Sequence, residues 1–343
     1  MKKIIALILT LTSLVLVFAS CENKKGKGEE NDGENELLGS VNVFVEMDHD
    51  AVSALIAKGE IDVAILPEPK ASAAILNAKN QAQSYSIKLN LSEEWDKVSE
   101  TQLPMGCIVA KNSFIDLHEG AVVEFLKEYK ASIEYVGNPE NKDSAASMIV
   151  NAGIIPKLPL AKSSLDNLYG SIVYMDSSEM KNSLVAFYDA IGIQNPADEF
   201  YYTPNASAVS DGAKIKIGVM NGPTGMGMAK LVNDYGLNSD KYEFVLFSSP
   251  ETANLALING EIDLACLPTN AAANLANKNS DYISVAAINC LGSLYVLAKD
   301  GVEINSIADL KDKNVYYGVK TSTTEPILKY ILSKNKLGAN VIE

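Results

Sequence analysis

Few residues in this sequence can do acid–base, nucleophilic or metal chemistry: two histidines, His49 and His118, and four cysteines, Cys21, Cys107, Cys266 and Cys290. The histidines stand far apart, with no Cys or His at ligand spacing beside them, which argues against a zinc site and against a Ser-His-Asp enzyme. Glu46, Asp48, His49 and Asp50 cluster after the run VNVFVEM and could hold a metal or exchange protons, yet a solvated loop capping the next helix is the simpler reading. Trp95, the single tryptophan, suits either stacking on a ring or anchoring a rim or core, and both readings stay open. Cys107, Cys266 and Cys290 each sit in an apolar, strand-like segment, so buried free thiols are expected rather than a disulfide framework. No cofactor and no metal are expected.

Every one of the 29 basic residues is a lysine, so no planar guanidinium fork can grip a carboxylate or phosphate. A composition bias favouring Lys and Asn explains this as well as any function does. The net charge of −14 is spread along the chain, which makes nucleic acid an unsuitable partner.

Lys2 and Lys3 precede an apolar run over residues 4–18, and Ala19 and Ser20 lead into Cys21, the layout of a secretory signal (residues 1–20) ending in a lipobox. The run is too short for a comfortable transmembrane helix. Lipidation of Cys21 and an extracytoplasmic place anchored to the bacterial cell membrane, in the periplasm or on the outer face, are expected; Phe18, where such signals more often carry Leu, keeps ordinary signal cleavage or poor processing as the alternative. Residues 22–36 hold no apolar side chain and read, with Cys21, as a flexible tether over 21–36.

These few chemical residues must be positioned by elements that an internal repeat reveals. Residues 59–67 read GEIDVAILP and residues 260–268 read GEIDLACLP, identical at seven of nine positions and 201 residues apart. A segment of helical spacing precedes each copy (50–58 and 251–259), Gly closes it, a buried strand ending in Pro follows, and an Ala-rich helix comes next (70–78 and 270–278). Each repeat is thus an αβα piece of a parallel sheet, and the long offset suggests two similar lobes, each doubly wound. Further strands are expected at 214–220, 242–247, 283–288, 294–298 and 314–317, and helices at 121–135, 143–152, 160–168 and 177–191.

Seven strings carry a family resemblance: IGVMNGPTGMGM (217–228), LPTN (267–270), AAINCLGSLYV (286–296), SIADLKDKNVYYG (306–318), LPEP (66–69), MGCIVA (105–110) and DEFYY (198–202). With the lipobox and the duplicated GEID unit, the chain resembles the substrate-binding proteins of nitrate, taurine and alkanesulfonate-type ABC transporters over nearly all of residues 40–343. The resemblance implies an α/β, two-lobed periplasmic binding protein type II fold, each lobe a doubly wound, mostly parallel sheet. It also implies a non-enzymatic protein that delivers a small solute to an ABC permease and its ATPase. The order departs from the family: the part resembling its second half comes first, a circular permutation. Restoring the order gives a first lobe of 104–203 and 213–291, a second lobe of 37–103 and 292–343, a linker over 203–213 joining the usual termini, and crossings near 289–293 and 101–106. Two readings compete with transport: an enzyme on the scaffold that pyrimidine-precursor synthases resemble, and a sensory or docking protein. A fragmentary chain pairing only between copies competes with the permutation.

In open α/β sheets ligands bind at the carboxyl ends of strands, near helix N-termini. Loops there supply the candidate ligand-binding residues: Asn221, Thr224, Gly225 and Met226 after KIKIGVM; Ser248 and Ser249, which suit a helix cap equally well; Thr269 and Asn270 after the second repeat and Glu68 after the first, on loops that would face each other across a cleft; Asn289 at the crossing; and Thr321, Ser322 and Thr323 before a helix. At Gly225 a bare backbone is expected to approach the solute, so that Gly225→Val would abolish binding and spare the fold. Lys70 is the single basic side chain on these loops against several carboxylates, which favours a neutral or weakly charged organic solute, such as a heterocycle, over a sulfonate or nitrate.

Overall fold

A computed structural model of the chain describes residues 37–320 and 322–342. The signal, Cys21 and the tether lie outside the described residues, as does Thr321.

Twelve strands make two six-stranded sheets among the described residues. The first contains β1 (Gly39–Glu46), β2 (Val63–Pro67), β3 (Tyr85–Asn90), β10 (Leu294–Lys299), β11 (Asn314–Gly318) and β12 (Leu337–Ile342), in the order β12-β1-β11-β2-β10-β3. The second contains β4 (Pro104–Lys111), β5 (Ile172–Met175), β6 (Ile215–Met220), β7 (Tyr242–Phe247), β8 (Leu264–Pro268) and β9 (Ile283–Leu291), in the order β5-β9-β4-β8-β6-β7. Around the first sheet run α1 (His49–Lys58), α2 (Lys70–Asn80), α3 (Leu91–Asp96) and α12 (Thr324–Lys334). With the second go α4 (Asn112–Gly137), α5 (Lys142–Asn151), α6 (Leu158–Asn167), α7 (Ser177–Ile191), α8 (Pro223–Met226), α9 (Ala229–Tyr235), α10 (Pro250–Asn259) and α11 (Thr269–Lys278). This is a two-lobed α/β fold of the class the sequence implies.

The repeat explains the local structure in both sheets. Asp48 caps α1 by accepting the Ala51 amide at 2.7 Å, and Ser249 caps α10 by accepting the Thr252 amide at 3.3 Å. Gly59 and Gly260 end those helices in the left-handed region (φ 72° and 73°), where a Cβ would be strained. The strands that follow, β2 and β8, are buried along their length except at the terminal proline. β2 lies parallel to β11 and antiparallel to β10; β8 lies parallel to β6 and antiparallel to β4.

Strands joined through helices run in the same direction, as expected, whereas β4, β10 and β5 run antiparallel to their neighbours. The reason lies in the crossings. The chain leaves the first sheet after β3 and enters the second as β4, and leaves the second after β9 to enter the first as β10. Each entering strand inserts reversed between two strands of its new sheet. The crossings lie side by side: Pro104 pairs with Leu291, and the Gly292 amide donates to the Leu103 carbonyl at 2.8 Å. Gly292 and Ser293 both have positive φ (64° and 94°), turning the chain sharply between β9 and β10.

β1 and β11, far apart in sequence, pair in parallel from Asn42↔Asn314 to Glu46↔Gly318, and β12 lies at the sheet edge against β1. One buried apolar cluster runs through both sheets, and a smaller one fills the space between α1, α2, β2 and β10. Trp95 is fully buried, with its ring 4.5 Å from Tyr330 and 5.7 Å from Phe187 and its Nε1 donating to the Thr101 carbonyl at 2.6 Å. It is a core anchor, which closes the alternative of ring stacking on a ligand. Cys107, Cys266 and Cys290 are buried free thiols. Burial pushes the thiols of Cys266 and Cys290 up to about 12, far from nucleophilic reactivity near neutral pH. No helix among the described residues is long and apolar enough to cross a membrane.

Candidate functional site

The carboxyl ends of β2 and β6 meet across the seam between the sheets. A Cβ built on Gly222, which precedes α8, would lie 3.3 Å from Pro69 Cδ and 3.9 Å from the Glu68 carbonyl oxygen. Glu68 is 2 % exposed, and its carboxylate gathers donors from both sides: Ser72 Oγ of α2 at 2.8 Å, and from α6 Ser164 Oγ at 3.0 Å and Asn167 Nδ2 at 2.5 Å. Its amide donates to the Ser293 carbonyl in the crossing at 2.9 Å. Ser72 and Ser163 hydroxyls meet at 2.9 Å, and Tyr295 Oη donates to the Asn167 carbonyl at 2.6 Å. Burial first, and then the Glu68 charge, push the Tyr295 phenol well above its usual range, so it remains a donor.

Asn289 lies on β9 beside the crossing and is 1 % exposed. Its Nδ2 donates to the Thr224 carbonyl and to Tyr129 Oη, each at 3.0 Å. Its Oδ1 has no hydrogen-bond partner among the described residues. A Cβ built on Gly106 would lie 2.5 Å from that Oδ1, 2.9 Å from Thr224 Oγ1 and 3.1 Å from Cys290 Cβ. From the first sheet's side, Thr323 Oγ1 reaches Met105 Sδ at 3.9 Å.

The structure therefore brings Glu68, Thr224, Asn289 and Thr323 to the seam. Other expected residues have different roles. Thr269 is fully buried and donates from Oγ1 to the Pro104 carbonyl at 2.8 Å while its own carbonyl accepts Tyr188 Oη, so it ties strands of its own sheet together. The loop pair shown in contact across the seam is 222–224 with 67–69. Ser249 is the α10 cap, Ser248 beside it is exposed, and Ser322 accepts the Thr324 amide at 3.3 Å. Asn221 is exposed and donates its amide to the Phe247 carbonyl; Asn270 is half-buried in the first turn of α11; Met226 is fully buried.

At Gly225, in α8, a Cβ would fall 1.9 Å from the Met220 carbonyl oxygen, on the backbone at the end of β6. The missing side chain is a requirement of the loop, so Gly225→Val disrupts the fold, contrary to the expectation that it would spare it. Of the carboxylates beside His49, Asp48 caps the α1 N-terminus and Asp50 pairs with Lys70 Nζ at 2.5 Å. Burial, and secondarily Lys70, lower the His49 pKa, and no cluster among the described residues is arranged to hold a metal ion.

Ser72, Gly106, Tyr129, Ser164, Asn167 and Tyr295 are functional candidates that strand-end reasoning passes over. Ser164 and Asn167 are three apart on α6, a polar pair facing inward, and that spacing is the one signal the sequence carries. Two cavities lie elsewhere. One of about 320 Å³ is bordered by Val136, Lys142, Leu165 and Tyr169; the other, of about 590 Å³, by Asp62, Glu303 and Lys313. Neither touches a predicted site residue.

No family model and no curated protein matches the chain. Among solved structures it is similar to an ancestral arginine-binding protein bound to arginine (12 % identity, 88 % of this chain and 94 % of that one, TM-score 0.33). It is also similar to a binding protein component of an ABC phosphonate transporter from Pseudomonas aeruginosa (9 %, 87 % and 79 %, 0.34). A third is a phosphate-binding protein of a phosphate ABC transporter from Streptococcus pneumoniae TIGR4 (10 %, 84 % and 83 %, 0.33). At such scores the likenesses carry no weight for the solute.

Proposed function

We propose that this chain is an extracytoplasmic, non-enzymatic solute-binding protein that closes two lobes around a small organic solute and delivers it to an ABC permease and its ATPase. The observation that carries the reading is Glu68: a buried carboxylate at a strand end of one sheet, held by Ser164 and Asn167 from the helix layer of the other. Contacts available only when both sides meet are what let a solute select a closed state. The paired crossings beside it supply a two-stranded hinge. The buried, high-pKa thiols and the separated histidines support binding rather than catalysis. Native mass spectrometry of protein purified without denaturant tests this: a small molecule held at near one-to-one stoichiometry and released on unfolding is expected. Bare protein that no compound in a broad metabolite library stabilises would overturn it.

The same reading includes lipidation at Cys21 and a permuted order, with lobes of 37–103 plus 292–343 and 104–203 plus 213–291. The β1–β11 pairing supports the order, as does the packing of the 203–213 linker against α4. There a Cβ on Gly120 would lie 1.9 Å from the Val209 carbonyl, and His118 Nδ1 meets Asp211 at 2.6 Å. A monomer of residues 37–343 by size measurement is expected; an obligate dimer would sink the permuted monomer. Incorporation of labelled palmitate that Cys21→Ser abolishes checks the anchor.

A further inference from the structure

The unmatched acceptor at Asn289 says what kind of solute the seam takes. A backbone carbonyl can only accept, so the amide group that faces the Thr224 carbonyl at 3.0 Å must be Nδ2, and Tyr129 Oη takes a second bond from the same nitrogen. The orientation of the amide is thereby set, and Oδ1 faces the opposite way, over the bare Cα of Gly106. There it stays buried and without a partner among the described residues. A buried acceptor left unmatched is destabilising, because it has lost its water and gained no donor. Thr224 Oγ1 borders the same point, 2.9 Å from where a Gly106 Cβ would be, so that any side chain at 106 would overlap both oxygens and push them apart.

This point belongs to the seam. Met105, next to Gly106, touches Thr323 of the first sheet's side, and the loop carrying Thr224 begins at Gly222, against Pro69 and Glu68. The charged group buried there is the Glu68 carboxylate, and the three side chains that hold it are neutral hydroxyls and an amide. Lys70, two residues on, is paired with Asp50. An oxyanion at this point would face the bare Asn289 Oδ1 lone pair, with the Glu68 charge on the same seam, whereas an N–H group would find an acceptor in Oδ1. Burying like charges together without a cation is strongly unfavourable, whereas a donor placed on an unmatched acceptor recovers the cost of leaving it bare.

We infer that Asn289 Oδ1, Thr224 Oγ1 and the bare backbone at Gly106 form a recognition point for an N–H donor, so that the solute is a neutral or cationic N–H-bearing molecule and not an oxyanion. The inference rests on the solute-binding reading above.

The test uses the full chain in thermal-shift and calorimetric titrations with two probe sets. One holds cytosine, adenine, glycinamide and putrescine; the other holds nitrate, sulfate, phosphate and methanesulfonate. Stabilisation by at least one member of the first set is expected, with neutral and amine members distinguishing an uncharged from a cationic solute. Gly106→Ala should reduce that binding below detection, and Thr224→Val, which keeps shape and removes the hydroxyl, should weaken it by about 2- to 10-fold. Thr224→Val keeps the test open should Gly106→Ala fail to fold. Binding of an oxyanion overturns the inference and leaves the solute-binding reading standing. So does binding of an N–H probe that both variants retain. No shift from either set overturns the inference and counts against the solute-binding reading as well.

Discussion

The two copies of the GEID unit are the same scaffold put to different ends. Gly59 and Gly260 close their helices with nearly the same backbone angles, and β2 and β8 share one burial pattern. The carbonyls of Asp62 and Asp263 each accept a backbone amide, from Lys299 and Lys111 respectively, at 2.9 Å. One residue past the shared proline the copies part. In the first, Glu68 carries a buried charge to the seam and is held from both sides; in the second, Thr269 turns its hydroxyl back to Pro104 of the adjoining strand. The repeat keeps what folds the strand, while the side chain one residue past the proline takes a different partner in each copy.

The largest test of this contrast is Glu68→Ala. It strands Ser72, Ser164 and Asn167 without their acceptor, and a loss of about 3 kcal/mol in urea unfolding is expected together with loss of solute retention. Thr269→Val should cost less, about 1–2 kcal/mol, since one buried hydrogen bond is removed inside one sheet, and solute affinity should remain near wild type. If Thr269→Val weakened binding as much as Glu68→Ala, the copies would be equivalent at the site and the contrast would fail.

The smallest effect is at Asp263. Burial raises its carboxyl pKa above the ordinary 3.8, against the hydrogen bond from the Lys216 amide at 2.9 Å that lowers it. A raised carboxyl gives its stabilisation in full below the unfolded pKa and loses it as pH rises through the folded pKa. Asp263→Asn should therefore be more stable than wild type at pH 7, with the gain vanishing as pH falls below about 3.8. Parallel stability curves for the two proteins between pH 3 and 7 would show that Asp263 is not the source.

Much of the scaffold was legible because it depends on neighbours in sequence. The helix expected at 177–191 and the strand at 242–247 have those bounds in the structure, and Gly after helical spacing foretold both left-handed caps. The short strands β5 and β12 and the reversed direction of β4 and β10 were harder to read, since strand direction depends on which sheet the chain enters.

At the site, residue type and strand-end position pointed to Glu68, Thr224 and Asn289 but also to Thr269, Ser249 and Gly225, which serve the fold. Nothing local separates the two groups: a hydroxyl after a strand-ending proline can face the seam or its own sheet. The sequence by itself determined the repeat, the sheets' buried strands, the caps, the scarcity of reactive groups and the absence of arginine. Only the tertiary structure decided that Ser164, 96 residues from Glu68, meets its carboxylate, and that the Asn289 amide is turned by the Thr224 carbonyl to leave an oxygen bare over Gly106. Periodicity and capping are short-range properties written along the chain, whereas the partner of a buried polar group is set by how separate elements pack.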